Sequence, residues 1–129
     1  MRVLLDTHIL LWAAYHPHRL PEAIADYLAS ATAEPLFSVA SLWEVSTKFG
    51  LGRPDFLIHP RDFRDGLLQS GYQELAITGE HALLVGTLPL IHRDPFDRML
   101  ITQATAERVD FFTSDGKLAE YGGVVRYYS

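Results

Sequence analysis

Residues 2–15 read RVLLDTHILLWAAY, and this stretch contains the pattern that decides the fold. The short, largely apolar run at residues 2–5 is typical of a strand that is buried on both faces in a parallel sheet. Asp6 and Thr7 end the run, and the apolar residues from Ile9 to Tyr15 indicate a short helix. The stretch therefore predicts a strand, an acidic residue at its end, and a helix.

The same alternation of short apolar segments and helical patterns continues along the chain. Further strands are predicted at residues 35–38, 74–77, 111–113 and, at the sheet edge, 124–127. Further helices are predicted at residues 21–32, 39–49, 62–70, 79–86 and 96–108. Strands that alternate with helices predict an α/β sandwich with a mostly parallel central sheet of four to five strands.

Composition sets the class of protein. A chain of 129 residues with 48% hydrophobic content predicts one domain that spans residues 1–129 and buries an ordinary core. The absence of cysteine excludes disulfides and thiolate metal sites, and it agrees with a cytoplasmic location. No signal peptide or membrane span is recognisable, so we expect no membrane association. The net charge of -5 disfavours nonspecific nucleic-acid binding, so a nuclease would need a local, metal-assisted site.

Four acids lie near the points where strands end and helices begin. Asp6 directly follows the first strand, and Glu44 lies about two turns into the helix after the second. Asp97 lies in the first turn of a helix, and Asp115 follows the fourth strand by two residues. Because ligands of such sheets bind beyond the carboxyl ends of the strands, these acids are candidates for a common site.

Each acid, taken singly, also has a common local role. Asp6 and Asp115 are suited to helix caps or turns, and Asp97 to stabilising a helix start. Glu44 is suited to an ion pair with Lys48 one helical turn later.

Two observations favour the common site. Asp97 lies on the same helix face as Leu100 and Ala104, where a carboxylate is costly unless it is paired. In a parallel sheet Asp6, Asp97 and Asp115 would also lie at the same rim, the edge of the sheet where the carboxyl ends of the strands meet. Carboxylates brought together repel unless a cation neutralises them, and oxygen ligands favour Mg²⁺ or Mn²⁺. Such a site can bind phosphate oxygens and activate a water for attack on phosphorus.

Four segments together resemble a known family. LLDTH at 4–8, SLWEVSTK at 41–48, HRDPFDRMLITQA at 92–104 and TSDGKL at 113–118 are similar, in order and spacing, to the four acidic motifs of PIN domains. The third segment resembles one branch of the VapC-type toxins of type II toxin–antitoxin systems. The resemblance covers nearly the whole chain.

The resemblance implies a three-layer α/β/α fold and Mg²⁺- or Mn²⁺-dependent cleavage of RNA. It implies that Asp6, Glu44, Asp97 and Asp115 are the catalytic and metal-binding acids, with Asp6 and Asp97 as principal ligands. It also implies a small cognate antitoxin as partner and a homodimer. Asp94 is the rival for the third acid, but it is better placed as the helix cap, whereas Asp97 precedes the Met-Leu-Ile run.

Several neighbouring side chains leave alternatives open. Lys48, Arg93, Arg98 and Lys117 are candidates for RNA contacts or for balancing the carboxylates, and a solvated surface charge is the alternative. His8 and His92 lack metal-ligand spacing. Thr7, Thr113 and Ser114 are candidates for hydrogen bonds to a carboxylate, although local capping is the commoner role. We expect Trp43 to pack in the core and Trp12, in the first helix, to line a partner surface.

Three other functions compete. An aspartyl phosphatase would need a second aspartate two residues after Asp6, where His8 stands. A receiver-like signalling module would need an acidic pair after the first strand and an acceptor aspartate after a central strand, and neither is present. A PIN nuclease that processes RNA without being a toxin remains open.

Overall fold

The computed structural model describes residues 1–129 and contains one five-stranded sheet. The strands are Arg2–Leu5 (β1), Glu34–Ser38 (β2), Gln73–Leu75 (β3), Asp110–Thr113 (β4) and Val125–Tyr127 (β5). Their order across the sheet is β3-β2-β1-β4-β5, and every neighbouring pair is parallel. The predicted parallel sheet is confirmed, with the fifth strand at an edge.

Six α-helices connect the strands. They are Thr7–Tyr15 (α1), Glu22–Ala29 (α2), Val39–Gly50 (α3), Pro60–Gln69 (α4), Gly79–Leu84 (α5) and Pro95–Glu107 (α6). Short 3-10 helices occur at Pro17–Arg19, Val85–Thr87 and Gly116–Tyr121. None of the helices combines the length and apolar character that a membrane-spanning segment requires.

β1 is the central strand, and its side chains alternate between two apolar clusters. Val3 and Leu5 belong to the cluster on one face, together with residues of α1, α2 and α4. Leu4 belongs to the cluster on the other face, together with Leu100 and Ile101 of α6. All three β1 residues are fully buried, as expected for a strand covered on both faces. The fold is therefore a three-layer α/β/α sandwich, as the resemblance implied.

Side-chain caps fix where the helices begin at the carboxyl edge of the sheet. The Ser38 hydroxyl accepts from the amide of Ala40 and starts α3 directly after β2. The Asp94 carboxylate accepts from the amides of Phe96 and Asp97, with Pro95 in the first turn of α6. These caps set the rotational phase of the two helices that carry Glu44 and Asp97.

The second predicted helix is shorter than its sequence pattern indicated. The helix was predicted to reach residue 32 but ends at Ala29, and Ser30 is extended. The Ser30 hydroxyl accepts from the amide of Thr32, a local bond that competes with helix continuation. The third strand likewise ends at Leu75 rather than at residue 77.

Candidate active site

Asp6 lies directly beyond β1, and its side chain is almost fully buried. Its amide donates to the carbonyl of Phe112 on β4, which continues the pairing of the two strands. The Thr113 hydroxyl donates to Asp6 Oδ2 at 2.6 Å. Asp6 occupies the N-cap position of α1, as one alternative held, but its side chain makes no capping hydrogen bond. Burial raises its pKa, against the opposing effect of the Thr113 bond, and Glu44 raises it further.

Thr113 connects Asp6 to the segment that carries Asp115. Its hydroxyl oxygen accepts from the Asp115 amide at 3.0 Å while its proton goes to Asp6. Asp115 itself is exposed, and its Oδ1 accepts from the amide of Lys117 at 3.0 Å. Asp115 therefore caps the 3-10 helix at Gly116–Tyr121, as one alternative held. Of the hydroxyls considered from sequence, Thr113 is the one that contacts a candidate acid.

Glu44 lies in α3 and is buried, with only 7% of its surface exposed. Its Oε2 accepts from Lys48 Nζ at 3.1 Å, so the ion pair considered from the sequence is present. Its Oε1 is the one buried side-chain nitrogen or oxygen of the chain without a hydrogen-bond partner. A buried carboxylate oxygen without a partner is costly, so this atom marks a position that a cation or an ordered water would satisfy.

Asp97 lies in the first turn of α6 and is partly buried. Burial and the neighbouring carboxylates of Asp6, Asp94, Glu44 and Asp115 raise its pKa to about 8. Each of the other three predicted acids thus acts on Asp97 through its charge. The structure therefore brings the four acids to the same rim of the sheet, where negative charge accumulates around Asp97.

Asp94 has the separate role predicted for it. Its Oδ1 accepts from the amides of Phe96 and Asp97 at 2.8 and 3.1 Å, and its side chain faces solvent. Leu100 and Ala104 of the same helix are fully buried, so the predicted helix phase is correct.

A divalent cation at this rim would have few direct protein ligands. No three of the chain's acidic or histidine side chains are close enough together to hold one ion directly. Mg²⁺ commonly takes only one or two protein carboxylates and keeps several waters, which Asp6 and Asp97 can supply. The donors are oxygens, Glu44 Oε1 lacks a partner, and the Asp97 carboxylate is destabilised by its neighbours. These features fit a hard divalent cation.

Arg98, next to Asp97, has a structural role rather than the substrate contact that was one alternative. Its guanidinium donates to the carbonyls of Val85, Leu88 and Pro89 and to the Tyr121 hydroxyl. These bonds hold the loop that precedes α6 against the 3-10 helix at Gly116–Tyr121. The side chains of His8 and Lys117, which also lie near the acidic motifs in sequence, are exposed to solvent.

The expectation that Trp43 packs in the core is wrong. Its side chain is 56% exposed and meets the ring of Phe96 edge to face, with 4.9 Å between centroids. The buried face of α3 is occupied by Ser41, Glu44 and Val45, which turns Trp43 outward. Polar residues with tertiary partners, rather than the largest apolar residue, set the phase of this helix.

Sequence reasoning missed a buried amide that joins α6 to the ends of β2 and β3. Gln103 of α6 is fully buried and accepts from the Ser38 hydroxyl, while its amide group donates to the carbonyl of Ala76 at 3.2 Å. A buried hydroxyl pair, Thr7 with Ser41 at 2.8 Å, similarly joins α1 to α3. The available signal was the presence of polar residues at core-facing helix positions, which require partners.

No curated protein matches the sequence significantly. Among solved structures, the chain is similar to VapBC2 from Rickettsia felis bound to a promoter DNA fragment, with a TM-score of 0.73 and 14% identity over 100% of both chains. It is similar to DNA-bound VapBC from Salmonella typhimurium, with a TM-score of 0.69 and 16% identity over 100% of this chain and 99% of the other. It is also similar to a toxin–antitoxin complex from Klebsiella pneumoniae, with a TM-score of 0.63 and 17% identity over 96% of this chain and 95% of the other.

At these identities the solved structures show a shared fold. The family assignment comes from the sequence itself, because the PIN domain family model matches residues 3–124, nearly the whole chain. That match contains all four acids of the rim. The chain therefore belongs to the PIN domain family.

Proposed function

We propose that the protein is a metal-dependent endoribonuclease whose active site is formed by Asp6, Glu44, Asp97 and Asp115. PIN domains of the toxin class are generally nucleases, and this family membership supports phosphodiester hydrolysis. The observation that carries the proposal is the unpartnered Oε1 of the buried Glu44, on the same rim as Asp6 and Asp97, whose pKa values are raised by burial and by neighbouring carboxylates. A cluster that destabilises its own charge is suited to binding a cation.

Asp6 and Asp97 are the proposed principal ligands of Mg²⁺ or Mn²⁺, and Glu44 and Asp115 act through water. When bound, the cation would supply charge neutralisation at the phosphate and acidify a water. Thr113 holds the Asp6 carboxylate in one orientation through its 2.6 Å bond. Lys48 holds Glu44 Oε2, which leaves Oε1 free to accept from a water. The proposed roles of the protein groups are thus to bind, orient and accept protons.

We further propose that the nuclease is the toxin of a toxin–antitoxin pair. The similar solved structures are VapBC or toxin–antitoxin complexes, and they match this chain over almost its full length. By this analogy the partner is a small antitoxin and the active form is a homodimer. The surface around Trp12 on α1, which is partly exposed, is the proposed antitoxin contact. An unchanged antitoxin affinity after Trp12→Ala would remove that assignment.

Cleavage of RNA tests the enzymatic proposal. Purified wild type is incubated with total cellular RNA in Mn²⁺, in Mg²⁺ and in a chelator, beside Asp97→Asn and Asp94→Asn. Asp94→Asn is the matched control, because asparagine keeps the helix cap while it removes one nearby charge. The proposal predicts discrete cleavage by wild type and Asp94→Asn, lost in the chelator and in Asp97→Asn.

Two results would contradict it. Equal cleavage by all three proteins would point to a contaminating nuclease, and no cleavage by any would leave the carboxylate rim without this activity. The phosphatase alternative is then tested with a small phosphomonoester. Cell growth on expression of the protein, with and without the small antitoxin encoded beside it, separates a toxin from an RNA-processing nuclease.

A further inference from the structure

A pair of aromatic rings lies on the surface of the chain between the two acid-bearing helices. Trp43 of α3 and Phe96 of α6 pack edge to face, with an interplanar angle of 83°. The indole nevertheless remains 56% exposed, and Phe96 is partly exposed. An indole that packs against another ring and still keeps more than half of its surface exposed is an uncommon use of a residue that contributes strongly to core packing and binding.

The position of this aromatic pair relates it to the proposed active site. Trp43 directly precedes Glu44, and Phe96 directly precedes Asp97. Adjacent helical residues point about 100° apart, so the rings flank the carboxylates rather than entering their cluster. A polymer with one phosphate at the acids would place a neighbouring unit on the rings.

The cavity beside the pair carries positive charge although the whole chain is acidic. It has a volume of about 410 Å³, and Trp43, Arg93, Pro95, Arg98 and Met99 line most of it. The Arg98 guanidinium bonds only neutral oxygens, and neither arginine takes part in an ion pair of the structure. Arg93 is exposed and its guanidinium is free to contact a phosphate. Arginines beside an aromatic face suit a negatively charged, base-bearing strand.

We propose that the aromatic pair is a stacking platform for an unpaired RNA base next to the phosphate at the acids, with Arg93 contacting the adjoining backbone. Unpaired bases expose the flat faces that aromatic side chains stack on, whereas bases in a duplex do not. The platform therefore selects single-stranded segments. This inference rests on the proposed function, because it names the substrate class of the same site.

Trp43 fluorescence reports directly on the platform. The chain has two tryptophans, so Trp12→Phe leaves Trp43 as the single indole. In this variant, with Ca²⁺ in place of Mg²⁺ or Mn²⁺ to neutralise the acids, we expect a single-stranded 12-nucleotide RNA to quench the fluorescence with saturation. The same strand annealed to its complement is expected to quench far less.

Affinity measured by polarisation of the labelled strand gives the second readout. Trp43→Ala is expected to bind about tenfold more weakly, whereas Trp43→Phe retains most of the affinity and Trp12→Phe all of it. Circular dichroism checks that each variant is folded, which is expected because Trp43 lies at the surface.

The outcomes separate this inference from the proposed nuclease. RNA cleavage by wild type, together with an unchanged affinity in Trp43→Ala or with no quenching on binding, would overturn the platform and leave the nuclease intact. A shift of Trp43→Ala from dimer to monomer in sedimentation, with unchanged RNA affinity, would assign the rings to a second copy of the chain and overturn the platform as well. Absence of any RNA binding or cleavage by wild type would overturn both.

Discussion

Thr113 and Asp6, 107 residues apart in the chain, form a buried hydrogen bond of 2.6 Å at the carboxyl ends of two adjacent strands. The same hydroxyl accepts from the amide of Asp115. One threonine thus orients the first candidate acid and anchors the segment that carries the fourth.

Replacing Thr113 by valine keeps the side-chain shape and removes the bond. A buried carboxylate that loses a donor costs about 1–3 kcal/mol, so we expect the free energy of unfolding to fall by roughly that amount. Because the Asp6 side chain also loses its orientation, Mn²⁺ affinity should fall about tenfold or more. Urea unfolding and calorimetric titration measure the two effects. Thr113→Ser should restore both, and a Thr113→Val protein with normal Mn²⁺ affinity would show that Asp6 needs no such support.

The raised pKa of Asp97 predicts an unusual pH dependence of stability. The folded-state pKa is about 8 against an ordinary value of 3.8, so between these values the folded chain binds more protons than the unfolded one. The free energy of unfolding should therefore fall as pH rises through this window. Burial of Asp6, whose pKa is also raised, acts in the same direction.

Thermal unfolding in a chelator between pH 5 and pH 8.5 measures this slope. We expect a melting temperature that decreases with pH in the wild type and decreases less in Asp97→Asn, which cannot ionise. Adding Mn²⁺ at neutral pH should raise the wild-type melting temperature. A pH profile that is identical in the two proteins would show that Asp97 is not the group responsible.

The Glu44 carboxylate has one hydrogen-bonded oxygen and one without a partner. Replacing it by glutamine is therefore expected to have opposite effects on the stability of the metal-free protein and on metal affinity. Glu44→Gln removes a buried charge, so the metal-free protein should unfold at equal or higher denaturant concentration. Mn²⁺ affinity should fall, because a water at the Oε1 position loses its charged acceptor. Lys48→Met is the matched comparison, because it leaves the buried Glu44 carboxylate unpaired and should therefore lower the free energy of unfolding. Tighter Mn²⁺ binding by Glu44→Gln would contradict the assigned role.

The central position of β1 predicts which leucine side chains can be shortened to alanine with little loss of stability. Leu4 is fully buried on the α6 face of β1, so Leu4→Ala should lower the free energy of unfolding by about 2–5 kcal/mol. Leu57, which is 80% exposed, provides the control, and Leu57→Ala should change it by less than about 0.5 kcal/mol. Denaturant titration compares the two. A similar small loss in both would mean that β1 is not the centre of the core.

Local patterns were sufficient to predict the strands and most helix starts. The apolar run of β1 predicted burial on both faces, and Asp94 with Pro95 predicted the start and phase of α6, because these signals act within one turn or one strand. The placement of Asp97 on the partly buried helix face followed from that phase.

Tertiary partners decided what local patterns could not. Trp43 was expected in the core, but Ser41 and Glu44 have buried partners or neighbours in other elements and take the inward positions of α3. The bonds of Thr113 to Asp6 and of Ser38 to Gln103 join residues far apart in sequence, so no window of the sequence contains both members. The roles of the four acids as ligands and catalysts stay predictions.

The most direct test of the carboxylate site is the dependence of RNA cleavage on Mn²⁺ concentration in wild type, Asp97→Asn and Asp94→Asn. The rate of cleavage is measured with protein in excess of a labelled RNA, so that product release does not limit it. The account predicts saturable activation by Mn²⁺ in wild type and Asp94→Asn, and no cleavage by Asp97→Asn at any concentration tested. Cleavage by Asp97→Asn with the wild-type Mn²⁺ dependence would contradict it.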